Sequence, residues 1–531
     1  MDATDAKQRS GVVPMTARRR DVFAGLIGIA AAIATLAAAG VVALLLGLAS
    51  PLFSVGALVI DLAPPGVKEF AIALFGTGDK AFLIVVLAVV VLVAAIASGI
   101  LQSRRPPLGV ILLLVVALVA LVAALTRANA SVLNGAPTVV GAIVGTLVLR
   151  GLTASLERWR NASTQRTQRS GSSGLVERRS FLQYLAVGSV VGILVGVGAQ
   201  TLAGVTGAAS TVLNKIRLPV AATPAPPIPT GAELHVPGLT PYITPNTSFY
   251  RIDTALVVPS VDPKEWKLTI SGMVEKKVVI SFAELLAKPL EEHPITLTCV
   301  SQEVGGNLIG NAVWLGYPIR NLLAEAQPTP GADMVLSTSV DGFTAGTPLS
   351  VLQDPGTAAM LAVGMNGEQL PPEHGFPVRM VVPGLYGYVS ATKWVVDLKV
   401  TTFARDQAYW TPRGYSAKGP IKLSSRIDTP KDGRRLTAGT VAIAGVAWDQ
   451  HVGIAGVQVQ IDDEPWADAT LARVASVDTW LQWMYHWPAT KGNHQVAVRA
   501  INVKGEVQTS ALASPVPNGG TGLHTIAVGV G

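Results

Sequence analysis

The sequence predicts a multi-domain protein with an α-helical membrane bundle of about five spans, then an α+β domain, then a small all-β domain. Three observations lead to this fold class. The mean hydropathy is +0.45 and only 14% of the residues are charged, which is too apolar for an ordinary soluble enzyme. The apolar residues concentrate in the first 215 positions. The later part instead alternates short apolar runs with turn residues, as strands do.

Five apolar segments are candidate transmembrane helices, because crossing the hydrocarbon layer takes about 20 residues. They are 22–49, 81–101, 108–125, 128–149 and 181–205. Residues 51–80 contain prolines and charged residues, so we expect an external loop there with at most an interfacial piece. Domain 1–207 is therefore predicted to be a five-helix anchor surrounded by membrane lipid.

The net charge is +7, and the basic residues responsible for it are distributed as the predicted membrane topology requires. Basic residues concentrate in 1–20, at 104–105 and in 150–179. In a five-span arrangement these segments all fall on one side, which the positive-inside rule assigns to the cytoplasm. The sequence thus predicts a multi-pass protein of the cell membrane, with a cytoplasmic N-terminus and everything after residue 215 on the external face. Because the basicity belongs to topology, no nucleic-acid partner is expected.

Two arginines precede the last predicted span. Arg178 and Arg179 stand in ERRSFLQYLAVG, which resembles the twin-arginine export signal, in which such a pair precedes an apolar helix. Two interpretations stay open: the pair directs export of a folded domain, or it only satisfies the positive-inside rule.

The remainder of the chain divides by composition. Residues 208–237 form a proline-rich linker, predicted to be a semi-rigid extended tether. In 238–424 we expect short strands, among them 376–382, helices at 282–287 and 319–326, and a hairpin turn at Asn366-Gly367. Apolar runs of strand length predict an antiparallel sandwich over 425–515. Residues 516–531 are predicted to be a glycine-rich tail.

Cys299 is the only cysteine of the chain. A single thiol forms neither an intramolecular disulfide nor a four-sulfur metal site, so it is either an inert core residue or a lone functional thiolate. The residues before it, TLT, have strand character, and Gly305 and Gly306 follow in a predicted loop. A thiol between a strand and a glycine loop is placed to meet a ligand.

Several segments occur in the order found in one enzyme family. They are PYITPNTSFYRID, TLTC ending at Cys299, AVWLGYPIRNLL, MNGEQLPPEHGFPVRMVVPG and Lys393-Trp394. Over about 238–515 the chain resembles the sulfite oxidase family of molybdopterin-dependent oxidoreductases. The resemblance implies a sulfite-oxidase-type molybdopterin domain over 238–424. It also implies an immunoglobulin-like domain over 425–515, often used for dimerisation in that family, so a homodimer is allowed.

The resemblance also implies a set of site residues. Cys299 is expected to bind molybdenum directly, because reduced molybdenum is soft and accepts thiolate donors. Arg251 and Tyr415 are expected beside the reacting substrate. The expected cofactor-binding residues are Asn246, Tyr250, Arg251, His374, Arg379, Thr392 and Lys393.

The chain departs from sulfite oxidases at the substrate site. Those enzymes follow the cysteine with two arginines, whereas this chain has Glu303 and Val304. The resemblance implies two-electron oxygen-atom transfer on a small external substrate. The departure at Glu303 and Val304 indicates that this substrate is not sulfite itself.

A single cysteine excludes both an attached c-type haem and an iron–sulfur cluster. Electrons are therefore expected to pass to or from a separate cytochrome or quinone-linked partner. Two alternatives remain: a sulfoxide reductase of the methionine sulfoxide reductase type, and a membrane-tethered binding protein that has lost the cofactor.

Overall fold

A computed structural model describes residues 16–46, 48–63, 79–127, 130–165 and 216–531. The chain divides into two compact units, residues 1–207 with 255–257, and residues 208–254 with 258–531. We call them the helical unit and the β-rich unit.

The helices described in the helical unit are α1 (Ala17–Leu46), α2 (Pro51–Leu62), α3 (Asp79–Arg104), α4 (Leu108–Leu125) and α5 (Ala136–Gln165). Of these, α1, α3, α4 and α5 are long and apolar enough to cross a membrane. The fifth predicted span, 181–205, and the arginine pair before it lie outside the described residues.

Helix α2 occupies part of 51–80, where we expected an external loop with at most an interfacial piece; Pro51 begins this helix, and Asp61 is its one charged residue. One sequence boundary is wrong. Helix α5 continues past the predicted end at residue 149. Leu149, Leu152 and Leu156 are buried at helical spacing, and this apolar stripe carries the helix beyond Arg150.

Glycine sets the packing of α1 against α3. A Cβ atom on Gly28 would lie 1.8 Å from the Ala95 carbonyl oxygen, and one on Gly99 would lie 1.9 Å from the Ala24 carbonyl oxygen. The two backbones can approach this closely only because neither residue has a side chain. An ion pair between Asp21 and Arg104 joins the ends of the same two helices.

The described strands of the β-rich unit form four sheets. In the first part of the unit they are β1 (Lys267–Gly272), β2 (Val278–Ser281), β3 (Glu291–Thr298), β4 (Ile309–Pro318), β5 (Met334–Ser339), β6 (Thr344–Pro348), β7 (Met360–Met365), β8 (Glu368–Gln369), β9 (Arg379–Val381) and β10 (Val395–Thr401). Their sheet orders are β2-β1-β10-β5-β6 and β3-β4-β7-β8, with β9 paired to β7.

Three short helices accompany these strands, α6 (Phe282–Leu286), α7 (Ile319–Ala326) and α8 (Leu349–Gln353). A capping box between Ser281 and Glu284 begins α6, as its sequence suggests. Helix α7 has the predicted bounds and buries an apolar stripe that includes Leu322 and Leu323. The α+β arrangement expected over 238–424 is therefore present.

The C-terminal strands are β11 (Ser424–Thr429), β12 (Arg435–Leu436), β13 (Gly439–Trp448), β14 (Ile454–Ile461), β15 (Ala467–Asp468), β16 (Thr470–Leu471), β17 (Leu481–Ala489), β18 (Gly492–Asn502) and β19 (His524–Val530). They form two sheets, β11-β13-β17-β16 and β12-β19-β18-β14-β15. Side chains from both sheets, among them Trp483 and Val498, share one buried core. This is a two-sheet sandwich.

Two further expectations are corrected by the packing. Strand β19 lies in the predicted tail 516–531 and pairs along its length with β18, because its apolar side chains alternate toward the sandwich core. The proline-rich segment is not a free tether from residue 216 onward. Thr223 pairs with Glu291, and Leu218 packs on the core, so the extended chain lies along the edge of a sheet.

The strand expected over 376–382 is shorter. A cis peptide bond joins Phe376 to Pro377, and the described strand β9 begins only at Arg379. By contrast, the predicted turn between β7 and β8 is confirmed, since Asn366 and Gly367 both have positive φ, at 52° and 77°.

Candidate functional site

Cys299 follows the last residue of β3, at the point where the chain leaves the sheet. Its amide donates to the Leu308 carbonyl oxygen at 2.9 Å, and its own carbonyl oxygen accepts from Gln302 at 3.1 Å. The residue is 8% exposed. Burial raises the pKa of the thiol, while Ser301 and Lys393 act in the opposite direction. The thiol is therefore held by a turn, in a buried position that favours an uncharged group unless a cation compensates.

The loop after the cysteine is fastened by two side chains. Gln302 Nε2 donates to the Gly306 carbonyl oxygen at 2.6 Å. Arg426 Nη1, from β11 of the sandwich, donates to the same oxygen at 2.7 Å. Gly305 has a φ of 78°, and a Cβ there would lie 2.3 Å from the His524 imidazole, so glycine is required for the turn.

Two buried cations belong to the same cluster as the cysteine, since Lys393 acts on the thiol and Arg379 shares the neighbour Tyr250 with it. Arg379 begins β9 and donates to the carbonyl oxygens of His374, Met380 and Ala391 at 3.1, 3.3 and 3.5 Å. Burial lowers its pKa to about 10. Lys393 stands just before β10, and burial lowers its pKa to about 8 although Asp253 opposes the shift.

Asp253 joins Lys393 to a third cation. Its Oδ2 accepts from Lys393 Nζ at 3.0 Å and from Arg251 Nε at 3.0 Å. The Asp253 side chain is 5% exposed, whereas that of Arg251 is 36% exposed. A single carboxylate thus faces two cations, and Arg251 reaches the surface.

His374 carries a buried nitrogen without a partner among the described residues. Its Nε2 lies 3.0 Å from the Asn246 carbonyl oxygen, which fixes Nε2 as the donor, while the buried Nδ1 has no hydrogen bond there. Burial lowers the pKa of His374 to about 4, so the ring is neutral near pH 7. Its Nδ1 is then an acceptor that a ligand can use.

Tyr250 and Asn246 complete this side of the cluster. Burial raises the pKa of Tyr250, with smaller contributions from nearby Cys299 and Arg379 in opposite directions. The Asn246 side chain accepts from Asn366 Nδ2 at 2.8 Å, in the hairpin turn. The Asn246 carbonyl oxygen therefore fixes the orientation of the His374 ring, which leaves Nδ1 as the acceptor. The Asn246 side chain connects the cluster to the turn after β7.

Thr392 and Tyr415, two of the predicted site residues, are positioned by contacts with residues outside the charged cluster. The Thr392 hydroxyl lies 2.7 Å from the hydroxyl of Ser337, inside the core. The buried Tyr415 ring packs against Tyr388 and Trp410, with ring centroids 5.6 and 5.0 Å apart. Tyr415 thus supports the turn that contains Tyr388.

Sequence reasoning missed two residues of this cluster. Asp253 ends the segment PYITPNTSFYRID, and its position two residues after Arg251 could have indicated it from the sequence. Tyr386 lies in the loop 383–387. Burial raises its pKa to about 12, with a smaller electrostatic contribution from Cys299. In the same loop, a Cβ on Gly387 would lie 3.7 Å from the Thr298 carbonyl oxygen and 3.9 Å from the Tyr250 hydroxyl. No spacing rule in the sequence indicates that approach.

Comparison with known proteins identifies the family. The family described as oxidoreductase molybdopterin binding domain matches residues 255–410. The uncharacterized oxidoreductase YuiH of Bacillus subtilis is 32% identical over 173 residues, which cover 33% of this chain and 83% of YuiH. The chain belongs to the sulfite oxidase family of molybdopterin-dependent oxidoreductases. It is therefore an enzyme, and the cofactor of its family is molybdopterin.

Two further similar proteins each match about half of this chain. Mitochondrial sulfite oxidase of Rattus norvegicus is 28% identical over 321 residues, which are 51% of this chain and 58% of that protein. The chain thus spans somewhat more than half the length of such relatives. The solved sulfane dehydrogenase SoxCD of Paracoccus pantotrophus is 24% identical, with a TM-score of 0.48 over 54% of this chain and 80% of that one.

The residues present fit the family's cofactor. A pterin with a phosphate offers both anionic oxygens and hydrogen-bond donors, and the cluster supplies two buried cations and one unpaired acceptor, His374 Nδ1. The thiol of Cys299 is a soft donor for a soft metal. Arg379 meets only backbone carbonyls in the hydrogen bonds described for it, which leaves its positive charge available to an anion.

Proposed function

We propose that this protein is a membrane-anchored molybdopterin-dependent oxidoreductase that transfers an oxygen atom, with two electrons, to or from a small substrate other than sulfite. One observation carries the proposal. The buried thiol of Cys299 lies near the buried cation Lys393, and the thiol and the buried cation Arg379 both lie near Tyr250. The carboxylate described among these groups, Asp253, is already shared between two cations. Such an excess of buried positive charge costs free energy unless an anionic ligand offsets it.

Each residue has a proposed task. Cys299 supplies the sulfur that binds the metal, while Arg379 and Lys393 hold the anionic parts of the cofactor. The neutral His374 accepts a hydrogen bond through Nδ1, and the neutral Tyr250 donates or accepts through its hydroxyl. When bound, the cofactor supplies the two-electron redox chemistry.

Arg251 is proposed to meet the substrate. It is fixed by Asp253 yet partly exposed, so it can orient an anionic or strongly polar oxygen from the solvent side. The loop after Cys299 has the exposed carboxylate of Glu303 instead of a cation. This loss of positive charge argues against sulfite, an oxyanion with one or two negative charges near neutral pH, and for a substrate of lower charge.

Location and partners complete the proposal. Four described helices have the length and composition of membrane spans, which supports a multi-pass anchor in the cell membrane. The distribution of basic residues supports a cytoplasmic N-terminus and an external β-rich unit. A separate cytochrome or quinone-linked protein would exchange the electrons, since one cysteine excludes an attached c-type haem.

The substitution Cys299→Ser tests this function. Serine is nearly isosteric but a harder and far less acidic ligand, so turnover should fall by at least about 100-fold while the protein stays folded. Metal and pterin content, the molybdenum electron-spin signal, and turnover are measured in full-length protein. Methionine sulfoxide with a reduced viologen and sulfite with ferricyanide serve as the two probe reactions.

Thr298→Ser is the matched control. Thr298 is the buried neighbour of Cys299 and keeps its hydroxyl hydrogen bond to Leu308 after this change. The control should retain the metal, the spin signal and turnover. A Cys299→Ser protein with a wild-type spin signal and rate would disprove the assignment of the metal ligand. Wild-type protein without molybdenum or pterin would instead support the binding-protein alternative.

A further inference from the structure

A short segment of the sandwich reaches the loop beside Cys299. Gln450 and His451 follow β13, and His451 has a φ of 65°, a left-handed conformation that is uncommon for a residue other than glycine. Gln450 Oε1 accepts from the Gly384 amide at 3.2 Å, and Gln450 Nε2 donates to the carbonyl oxygen of Thr296 in β3. The segment therefore touches both the strand that ends at Cys299 and the loop 383–387.

The His451 ring lies between two acceptors. Its Nδ1 is 2.9 Å from Asp478 Oδ1, and its Nε2 is 3.1 Å from the Pro383 carbonyl oxygen. A neutral imidazole donates through one nitrogen only, so satisfying both acceptors requires the doubly protonated imidazolium. The Gly384 backbone packs directly on this ring, since a Cβ there would lie 2.4 Å from it.

The fastened loop is the one that faces the candidate site. From Pro383 it leads within three residues to Tyr386, which interacts electrostatically with Cys299, and to Gly387, which passes the Thr298 carbonyl oxygen and the Tyr250 hydroxyl. Loss of the hydrogen bond between His451 and Pro383 would therefore act only a few backbone bonds away from groups beside the thiol.

We propose that His451 is a positioning residue which, as an imidazolium, clamps the loop 383–387 against the cysteine strand, and which releases that loop on losing its proton. On deprotonation one hydrogen bond is lost. The proton that remains stays on Nδ1, because Nδ1 faces the charged acceptor Asp478. Nε2 then has no proton to donate, so the hydrogen bond to the Pro383 carbonyl oxygen breaks. The catalytic significance of the clamp rests on the proposed function, whereas its existence does not.

The direction with pH follows from the groups that face the ring. The hydrogen bond and charge of Asp478 raise the pKa of His451 above its usual value of about 6.5, and Asp354 acts in the same direction while burial opposes it. Because the folded-state pKa is raised, the clamp is fully formed below about pH 6.5 and is lost as the pH rises through the folded pKa. The His451 side chain is 38% exposed, and Asp478 lines a cavity of about 210 Å³, so protons can reach the pair from solvent.

Hydrogen exchange of the loop amides measures the clamp. In full-length wild-type protein, the protection factors of residues 384–390, corrected for the intrinsic pH dependence of exchange, should fall by about fivefold or more between pH 6 and pH 9. His451→Gln cannot titrate and should abolish this dependence. Asp478→Asn keeps an oxygen acceptor but removes the charge, so the fall should begin at lower pH.

His494 provides a matched control. Its Nδ1 lies 2.8 Å from Asp462 Oδ2 and its Nε2 lies 3.0 Å from the Thr490 carbonyl oxygen, which repeats the geometry of His451 in β18 of the sandwich. His494→Gln should leave the pH dependence of the protection factors of residues 384–390, the loop profile, as in wild type. A flat wild-type profile, or a pH response that persists in His451→Gln, would overturn the clamp.

Cofactor content, measured on the same samples, separates the two proposals. A loop that responds to pH as expected in protein lacking molybdenum and pterin supports the clamp and refutes the proposed function. Normal cofactor content with a flat loop profile refutes the clamp alone.

Discussion

The helical unit and the β-rich unit place apolar and polar groups in opposite ways. In the helical unit large apolar side chains point outward, as Val93 does with 61% of its surface exposed. In the β-rich unit they point inward, as Trp314 does with none exposed, and buried positions include a thiol and two cations. Charged side chains of the helical unit pair at helix ends, as Asp21 and Arg104 do.

This difference fits the proposal that the helical unit lies in lipid and the β-rich unit in water. Lipid is as apolar as the side chains, so helices in it gain little from burying leucine or valine and associate through close backbone packing. In water the apolar core supplies the driving force, and the fold can then hold a few buried polar groups for chemistry. The same residue type therefore has different tasks in the two units. Glycine permits helix contact in one and shapes the cysteine loop in the other.

The largest effect is expected from the arginine pair that precedes the β-rich unit. If Arg178 and Arg179 direct export, replacing both by lysine should leave nearly all of that unit in the cytoplasm, with the earlier helices still inserted. If they only obey the positive-inside rule, lysine preserves the charge and nothing changes. Protease accessibility of a C-terminal tag in intact cells distinguishes these outcomes. Protection of the wild-type tag would refute the predicted orientation itself.

A smaller effect, confined to the helical unit, is expected from Gly28→Leu. The new side chain would collide with the Ala95 carbonyl oxygen, and such overpacking should cost about 3 kcal/mol or more. Gly40→Leu is the matched control on α1, because no atom of another described helix lies within 4 Å of a Cβ there. Thermal unfolding in detergent should be lowered only by Gly28→Leu. Equal melting of the two variants would contradict the close contact of α1 with α3.

The smallest effect is expected from Arg379→Met, which should leave the helices unchanged and weaken cofactor retention. Removing a buried cation from a charged hydrogen-bonding site typically costs about 2 kcal/mol, or about thirtyfold in affinity. Pterin released during gel filtration is measured against Arg405→Met, which removes an exposed arginine of the same unit. Equal retention by both variants would remove Arg379 from the proposed cofactor site.

Much of this arrangement was accessible from local sequence. Apolar segments gave four described helices of spanning length, since length and hydropathy alone decide whether a helix can cross a bilayer. Helix α7 and the Asn366-Gly367 turn were predicted because capping, periodicity and positive φ are properties of a few adjacent residues. Ordered motifs led to the family and to the candidate site residues, whose roles remain proposals.

The tertiary structure decided what depends on distant residues. It placed β19 in the sandwich and laid the proline-rich segment on a sheet edge, because composition specifies an extended chain but not its neighbours. It brought Asp253 to Lys393 across 140 positions and His451 to Pro383 across 68. Such contacts are fixed by how sheets pack. The sequence by itself determined the apolar segments of spanning length, the local signals of helix α7 and of the Asn366-Gly367 turn, and that one thiol is available.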